Sequence, residues 1–362
     1  MSCFRSAKLG LTLGFAAVVL CLSMSCRSAK LTEAPAKPVG AVLEYKTPLG
    51  LPPIRIPADN PLTAETIALG RRLYYDTKLS HDNTVACASC HSPTLGFADG
   101  RKVSTGVAGK IGTRNSPTVT NAAYSPILFW DGRAPSLEEQ AAGPIANPVE
   151  MNLPHEQLEG RLNDDATYVA LFAKAFGPGR ITIDKIKKSI AAFERTVISG
   201  NSAFDRYHYG GDKTAMNAAA IRGLEIFRDA KRGNCAVCHT IEEKHALFSD
   251  GKFHNLGTGM DELGELRDLG RYEITKNAAE RGAFLTPTLR NIAMTAPYMH
   301  DGSHKTLREV VDFYVGGGNA NPHLDKEIRE LKLSQRDRAD LVAFLEALTG
   351  EMPAGVGPPD GL

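Results

Sequence analysis

The chain has almost no net charge: 42 Lys and Arg stand against 41 Asp and Glu, which leaves +1 over 362 residues. That balance gives nucleic acid no electrostatic case as a main partner. Beyond Leu22 no apolar run is long enough to cross a bilayer, and no segment alternates in the manner of a half-buried strand. Spanning helices and a large sheet are therefore not expected, and the fold reads as mostly α. Tryptophan is nearly missing, with Trp130 alone. Hydrophobic residues still make up 43%, enough for real cores, and the length suits two domains of ordinary size.

What is present begins with an export signal. Arg5 and Lys8 precede the apolar stretch Leu9 to Leu22, and Ser23, Met24 and Ser25 form a small-x-small cleavage site. The mature protein is expected outside the cytoplasm, in a periplasm. Cys26 stands where a lipobox cysteine would, although Ser23 occupies the place usually held by leucine. A lipid anchor at Cys26 and simple cleavage before the Pro- and Ala-rich linker both stay open.

The cysteines name the chemistry. Three of the seven lie in the signal region, and the rest form Cys87-Ala-Ser-Cys90-His91 and Cys235-Ala-Val-Cys238-His239. A redox disulfide or a zinc site would use Cys-x-x-Cys but would not explain the histidine that follows each pair. The pentapeptide is the pattern of covalent haem c, with two thioethers to the vinyl groups and the adjacent imidazole on iron. Two covalently bound haem c groups are expected.

Self-comparison points to two cytochrome c-like haem domains related by duplication and packed around an inter-domain cleft. Gly70-Arg-Arg-Leu73-Tyr74-Tyr-Asp76 echoes Gly223-Leu-Glu-Ile226-Phe227-Arg-Asp229. Downstream of each haem motif, Pro117-Thr118, Asn121, Trp130-Asp131-Gly132 and Ser136-Leu137 match Pro287-Thr288, Asn291, His300-Asp301-Gly302 and Thr306-Leu307 at one constant spacing. The divisions are residues 1–25 for the signal, 26–56 for a linker, 57–200 and 201–334 for the two haem domains, and 335–362 for a C-terminal helix and tail. Caps and periodicity predict helices over 64–75, from 137 with a Ser136/Glu139 capping box, and over 184–199, 218–228, 307–315 and 335–348. In the repeat register Tyr314 maps onto Pro144. A tyrosinate can bind ferric haem and proline has no donor, so one iron can be closed by Tyr314 while the other stays open beneath Pro144.

From about Pro57 to Leu348 the sequence resembles the bacterial di-haem cytochrome c peroxidase and MauG superfamily. The residues that carry the resemblance are Phe97-Ala-Asp-Gly100, Arg114-Asn-Ser-Pro117, Trp130-Asp-Gly132, Gly143-Pro-Ile-Ala-Asn-Pro-Val-Glu-Met151, Thr286-Pro-Thr-Leu-Arg-Asn291 and Pro297-Tyr-Met-His-Asp-Gly302. The resemblance implies a peroxidatic first haem on His91 and an electron-transfer second haem on His239. It implies Glu150 as distal acid and base, Gln140 as a distal polar residue, Pro144 in the distal wall, and Trp130 between the haems. It also implies calcium held by Asn115 and the backbone carbonyls of Thr295 and Pro297.

Two departures from the family's peroxidases stand out. The loop Val103 to Arg114 lacks the histidine that blocks their resting haem, and Tyr314 stands where they carry a ligand methionine. Both changes resemble MauG. Met294 and Met299 are rival ligands in principle, although a methionine in such a loop is more often packing. The expected activity is reduction of hydrogen peroxide to water, with electrons from a small c-type cytochrome or a copper protein. The alternatives are a MauG-like high-valent oxidase that modifies a partner protein, and a non-enzymatic di-haem carrier or sensor. Oligomeric state, a homodimer included, is not written in the sequence.

Overall fold

The structure is a computed structural model that describes residues 36–361, so the signal segment and Cys26 lie outside the described residues. Among the described residues ten helices carry the fold. They are α1 (Ala64–Tyr75), α2 (Leu137–Ala146), α3 (His155–Asn163), α4 (Ala166–Phe176), α5 (Ile183–Glu194), α6 (Ala203–His208), α7 (Ala218–Arg228), α8 (Tyr272–Thr275), α9 (Leu307–Val315) and α10 (Gln335–Glu346). Two three-residue strands, β1 (Phe253–Asn255) and β2 (Ala283–Leu285), pair antiparallel with His254 opposite Phe284. No described helix is long and apolar enough to cross a membrane.

Local chemistry sets the helix ends. Thr63 and Thr66 cap α1 reciprocally, and Ser334 and Asp337 do the same for α10. The Ser136/Glu139 box is only half formed. Ser136 accepts from the Glu139 amide at 3.2 Å, but the Glu139 carboxylate instead takes a bond from Lys187 at 2.6 Å. Helices α5 and α10 stop before the expected Ser199 and Leu348, because the buried residues Val197, Ile198 and Leu348 continue the core in turns rather than in helix.

The buried apolar residues fall into two cores. The first gathers Leu73, Tyr74, Phe97, Ile145, Phe172 and Phe193, and the second Phe204, Phe227, Phe248, Val311 and Phe344. Helix α10 packs on α7 inside the second core, so it is no separate C-terminal piece. The tail beyond it returns to the first: Val356 is buried there, Arg71 donates to the Gly357 carbonyl at 2.6 Å, and Tyr75 donates to that of Val356 at 2.7 Å.

Each core is built on one tight helix crossing. A Cβ on Gly70 of α1 would lie 1.8 Å from the Ser189 carbonyl oxygen of α5, and one on Gly223 of α7 would lie 2.0 Å from that of Asp340 of α10. Backbone blocks both positions, so only glycine lets the axes approach. Alanine gains about 1 kcal/mol of helix propensity but meets an overpacking cost of about 3 kcal/mol. Gly70→Ala and Gly223→Ala are each expected to lose about 2 kcal/mol in urea unfolding, the difference between those two terms.

Candidate active site

Each Cys-x-x-Cys-His segment opens with a single 3-10 turn, Cys87–Ser89 and Cys235–Val237. The amides of His91 and His239 each donate to the carbonyl of the first cysteine at 3.0 Å, which brings both thiols and the imidazole to one side of the turn. All four thiols are free of disulfide bonds. His91 Nδ1 lies 3.2 Å from the Phe97 carbonyl, and His239 Nδ1 lies 2.8 Å from that of Phe248. A carbonyl only accepts, so Nδ1 carries the proton and Nε2 keeps its lone pair for a metal. Burial pushes both imidazoles below their usual range and keeps them neutral. Phe97 and Phe248 both sit at positive φ, 59° and 52°, which turns these carbonyls inward.

The second turn opens into a cavity of about 570 Å³ lined by Cys235, Cys238, His239, Leu345 and Tyr314. Burial in this cavity pushes the Tyr314 phenol well above its usual range. A cavity lined by two thiols, a proton-free Nε2 and the Tyr314 phenol fits a haem c at this site. Cys238, Asp250 and His254 also come within 4.8 Å of one another, and His254 is held between Asp325 at 2.6 Å and Asp250 at 3.0 Å. This cluster is part of the second haem turn.

The first turn faces the end of α2. Pro144 sits inside that helix and has no amide to give the Gln140 carbonyl, so Gln140 and Pro144 share one weakened turn. The chain then doubles back: the Met151 amide donates to the Pro144 carbonyl at 3.2 Å, which brings Glu150 beside Pro144. Asn147 Nδ2 donates to Glu150 Oε1 at 2.6 Å. Burial pushes the Glu150 carboxyl above its usual range, against the pull of Asn147 and the Arg133 charge, and its own charge is felt at Cys90. The loop Val103 to Arg114 buttresses this segment. Val107 donates to the Glu150 carbonyl at 2.8 Å, and a Cβ on Gly106 would lie 2.1 Å from the Val149 oxygen.

Trp130 Nε1 donates to the Asn115 carbonyl at 2.9 Å while the Asn115 amide donates to the His300 carbonyl at 2.7 Å. Trp130 and His300, partners in the repeat, thus meet on one residue. Buried His300 stacks on Phe284 at 3.6 Å, and burial holds it down at about 4. Asn115, Trp130, Thr295 and Pro297 line the same cavity as Tyr314. Asn115 Nδ2 donates to Arg101, which leaves its Oδ1 as an acceptor without a protein donor among the described residues. Arg114 ties the seam, bonding Asp131 at 2.6 Å and Asp268 at 2.6 and 2.8 Å. Of these contacts, the Phe97 and Phe248 carbonyls, Asn147 and Asp268 were not singled out by sequence, because loop spacing and positive φ leave no readable signal.

The family pattern described as di-haem cytochrome c peroxidase matches residues 64–214. The chain is 40% identical over 335 residues to the cytochrome-c peroxidase IdrP1 of Denitromonas iodatirespirans, covering 84% of this chain and 87% of that one. It is 40% identical over 306 residues to the methylamine utilization protein MauG of Methylorubrum extorquens, covering 84% and 83%. The crystal structure of a MauG-like protein associated with microbial copper homeostasis aligns with a TM-score of 0.77 at 34% identity, over 86% of this chain and 96% of that one.

Proposed function

Because this chain belongs to the di-haem cytochrome c peroxidase family that also holds the MauG proteins, we propose that it is a periplasmic di-haem peroxidase reducing hydrogen peroxide to water. It is an oxidoreductase of the peroxidase kind. Cys87 and Cys90 hold one haem c with His91 as ligand, and Cys235 and Cys238 hold the other with His239 and Tyr314. The paired turns and the recurring crossings support an origin by duplication, with the cleft between the two halves. When bound, the haems would supply redox-active iron for peroxide reduction and electron transfer.

The observation that carries this reading is Glu150, buried and oriented by Asn147 beside the first turn. Peroxide takes up two electrons and two protons to give two waters. Glu150 removes the proton from one peroxide oxygen and delivers it to the other, so the leaving oxygen departs as water. Gln140 adds a polar contact, and Pro144 keeps a donor-free wall above the iron site. The Trp130 ring, fixed by Asn115, serves the electron route between the halves, and Asn115, Thr295 and Pro297 would hold a calcium ion that would fix their orientation. A small c-type cytochrome or a copper protein returns the electrons.

Low-temperature electron paramagnetic resonance of the oxidised protein tests the reading. One high-spin and one low-spin ferric signal, both lost with one equivalent of peroxide, are expected. Two low-spin signals indifferent to peroxide would overturn it in favour of a carrier. Tyr314 favours a second reading, a MauG-like oxidase of a partner protein; that enzyme would turn over poorly with small cytochromes and oxidise a co-purified protein. Tyr314→Phe is expected to change the second haem's absorption and resonance spectra with both covalent attachments intact. Unchanged spectra would remove Tyr314 as a ligand.

A further inference from the structure

Glu194 closes α5 and is 4% exposed, and its Oε2 is buried with no hydrogen-bond partner. The cation next to it is already committed. Arg195 gives both terminal nitrogens to Glu138 of α2 at 2.7 and 2.9 Å, and Asn60 adds a third bond to the same carboxylate at 2.7 Å. Two carboxylates therefore share one guanidinium, and Glu194 is the one left out. Its charge is felt at Cys87 in the first haem turn and at Tyr74 of α1. Burial pushes its carboxyl up to about 8; Arg195 opposes the rise and the Glu138 charge adds to it.

The second half shows what this position faces. The crossings, in which Ser189 corresponds to Asp340 and Phe193 to Phe344, make Leu345 the counterpart of Glu194. The backbone bonds Asn121 to Val197 and Asn291 to Leu348 give the same register. Leu345 lines the cavity that holds Cys235, Cys238 and His239. Glu194 thus occupies, in the first half, a place that the second half gives to an apolar side chain against its haem site. A buried carboxylate without a partner is costly, so packing alone does not account for it.

We propose that Glu194 couples a proton to the first haem: its carboxylate takes one proton from solvent when that haem gains one electron, and releases it when the electron leaves. The site's net charge then stays constant, with the electron coming from the donor that serves the peroxidase. This rests on the reading that Cys87, Cys90 and His91 hold a haem. An oxidised, more positive centre favours the carboxylate and lowers its pKa, and a reduced one raises it. The reduction potential of the first haem therefore falls as pH rises between those two values and is flat outside them. Of the groups facing Glu194, Tyr74 stays protonated through its burial and Glu138 is held ionised by Arg195, so neither contributes to the slope.

Spectroelectrochemical titration of the full di-haem protein, from mildly acidic to mildly alkaline pH, tests the proposal. The first haem is expected to show a slope approaching one proton per electron, and the second none. The slope persists in Glu150→Gln and vanishes in Glu194→Gln and Glu194→Leu. Reduction-induced infrared difference spectra of Glu150→Gln supply a readout that needs no change at Glu194, and a protonated carboxyl band is expected. A slope retained in either Glu194 variant, or no such band, overturns the proposal. Covalent haem found at only one motif would instead overturn the reading of the first site.

Discussion

Glu150→Gln is expected to lower kcat/KM for hydrogen peroxide by about 10²–10⁴-fold, the usual worth of a positioned acid and base. That equals roughly 3–5 kcal/mol of transition-state stabilisation. Glutamine keeps the size of the side chain and can still meet Asn147, but it cannot take the first peroxide proton. The pH profile separates this role from a structural one. The carboxylate is the working form, so activity is present above its pKa and lost as pH falls through it. Burial raises that pKa, which places the acidic limb above the ~4.3 of an ordinary glutamate. The limb should disappear in the glutamine variant while the spectra of both haems stay unchanged. Stopped-flow peroxide consumption with an artificial donor reads both effects, and a variant within a few-fold of wild type would exclude Glu150 from the proton transfer.

The second large effect concerns stability. Arg290 is 1% exposed and spends its guanidinium on Asp205 at 2.8 and 2.9 Å, on the Ala246 carbonyl at 2.7 Å and on that of Gly50 at 2.6 Å. Asp205 in turn caps α6 through Ser202, so one ion pair holds the N-terminal segment, α6 and the chain after the second haem turn together. Removing one partner leaves a buried charge uncompensated. Arg290→Ala is expected to cost about 3–5 kcal/mol in urea unfolding. Arg222→Ala removes a half-exposed pair with Asp340 and should cost only a small fraction of that. Equal losses in the two variants would show that burial is not what gives the Arg290 pair its weight.

The two Cys-x-x-Cys-His turns were legible because that pattern sets fixed residues at fixed spacing, and the repeat put Tyr314 and Trp130 in register. Helices α1, α7 and α9 match their sequence expectations because each has a capping side chain, Thr63, Asn217 or Thr306, ahead of an amphipathic run. Helices α3 and α4 were missed: α3 starts behind Pro154 without a side-chain cap, and α4 is apolar on most of its surface. The strands are three residues each, too short to alternate. The carbonyls that orient His91 and His239 escaped notice because they lie six and nine residues downstream, in loops of unequal length. Glu194 carries no motif. Only the crossing geometry, which makes Leu345 its counterpart in the second half, makes a glutamate in that place conspicuous.

The tail that grips α1 bears on how the molecule is made. The first core is closed by Val356, with Arg71 and Tyr75 clasping the neighbouring carbonyls. That stretch follows the whole of the second core in the chain, so the first half lacks its last strap until the second half has been synthesised. Chains generally fold from the N-terminus as they are made. Until the tail arrives, the early half lacks the bonds that Arg71 and Tyr75 give to the Gly357 and Val356 carbonyls. Once the tail docks, the first core is closed by residues that arrived last.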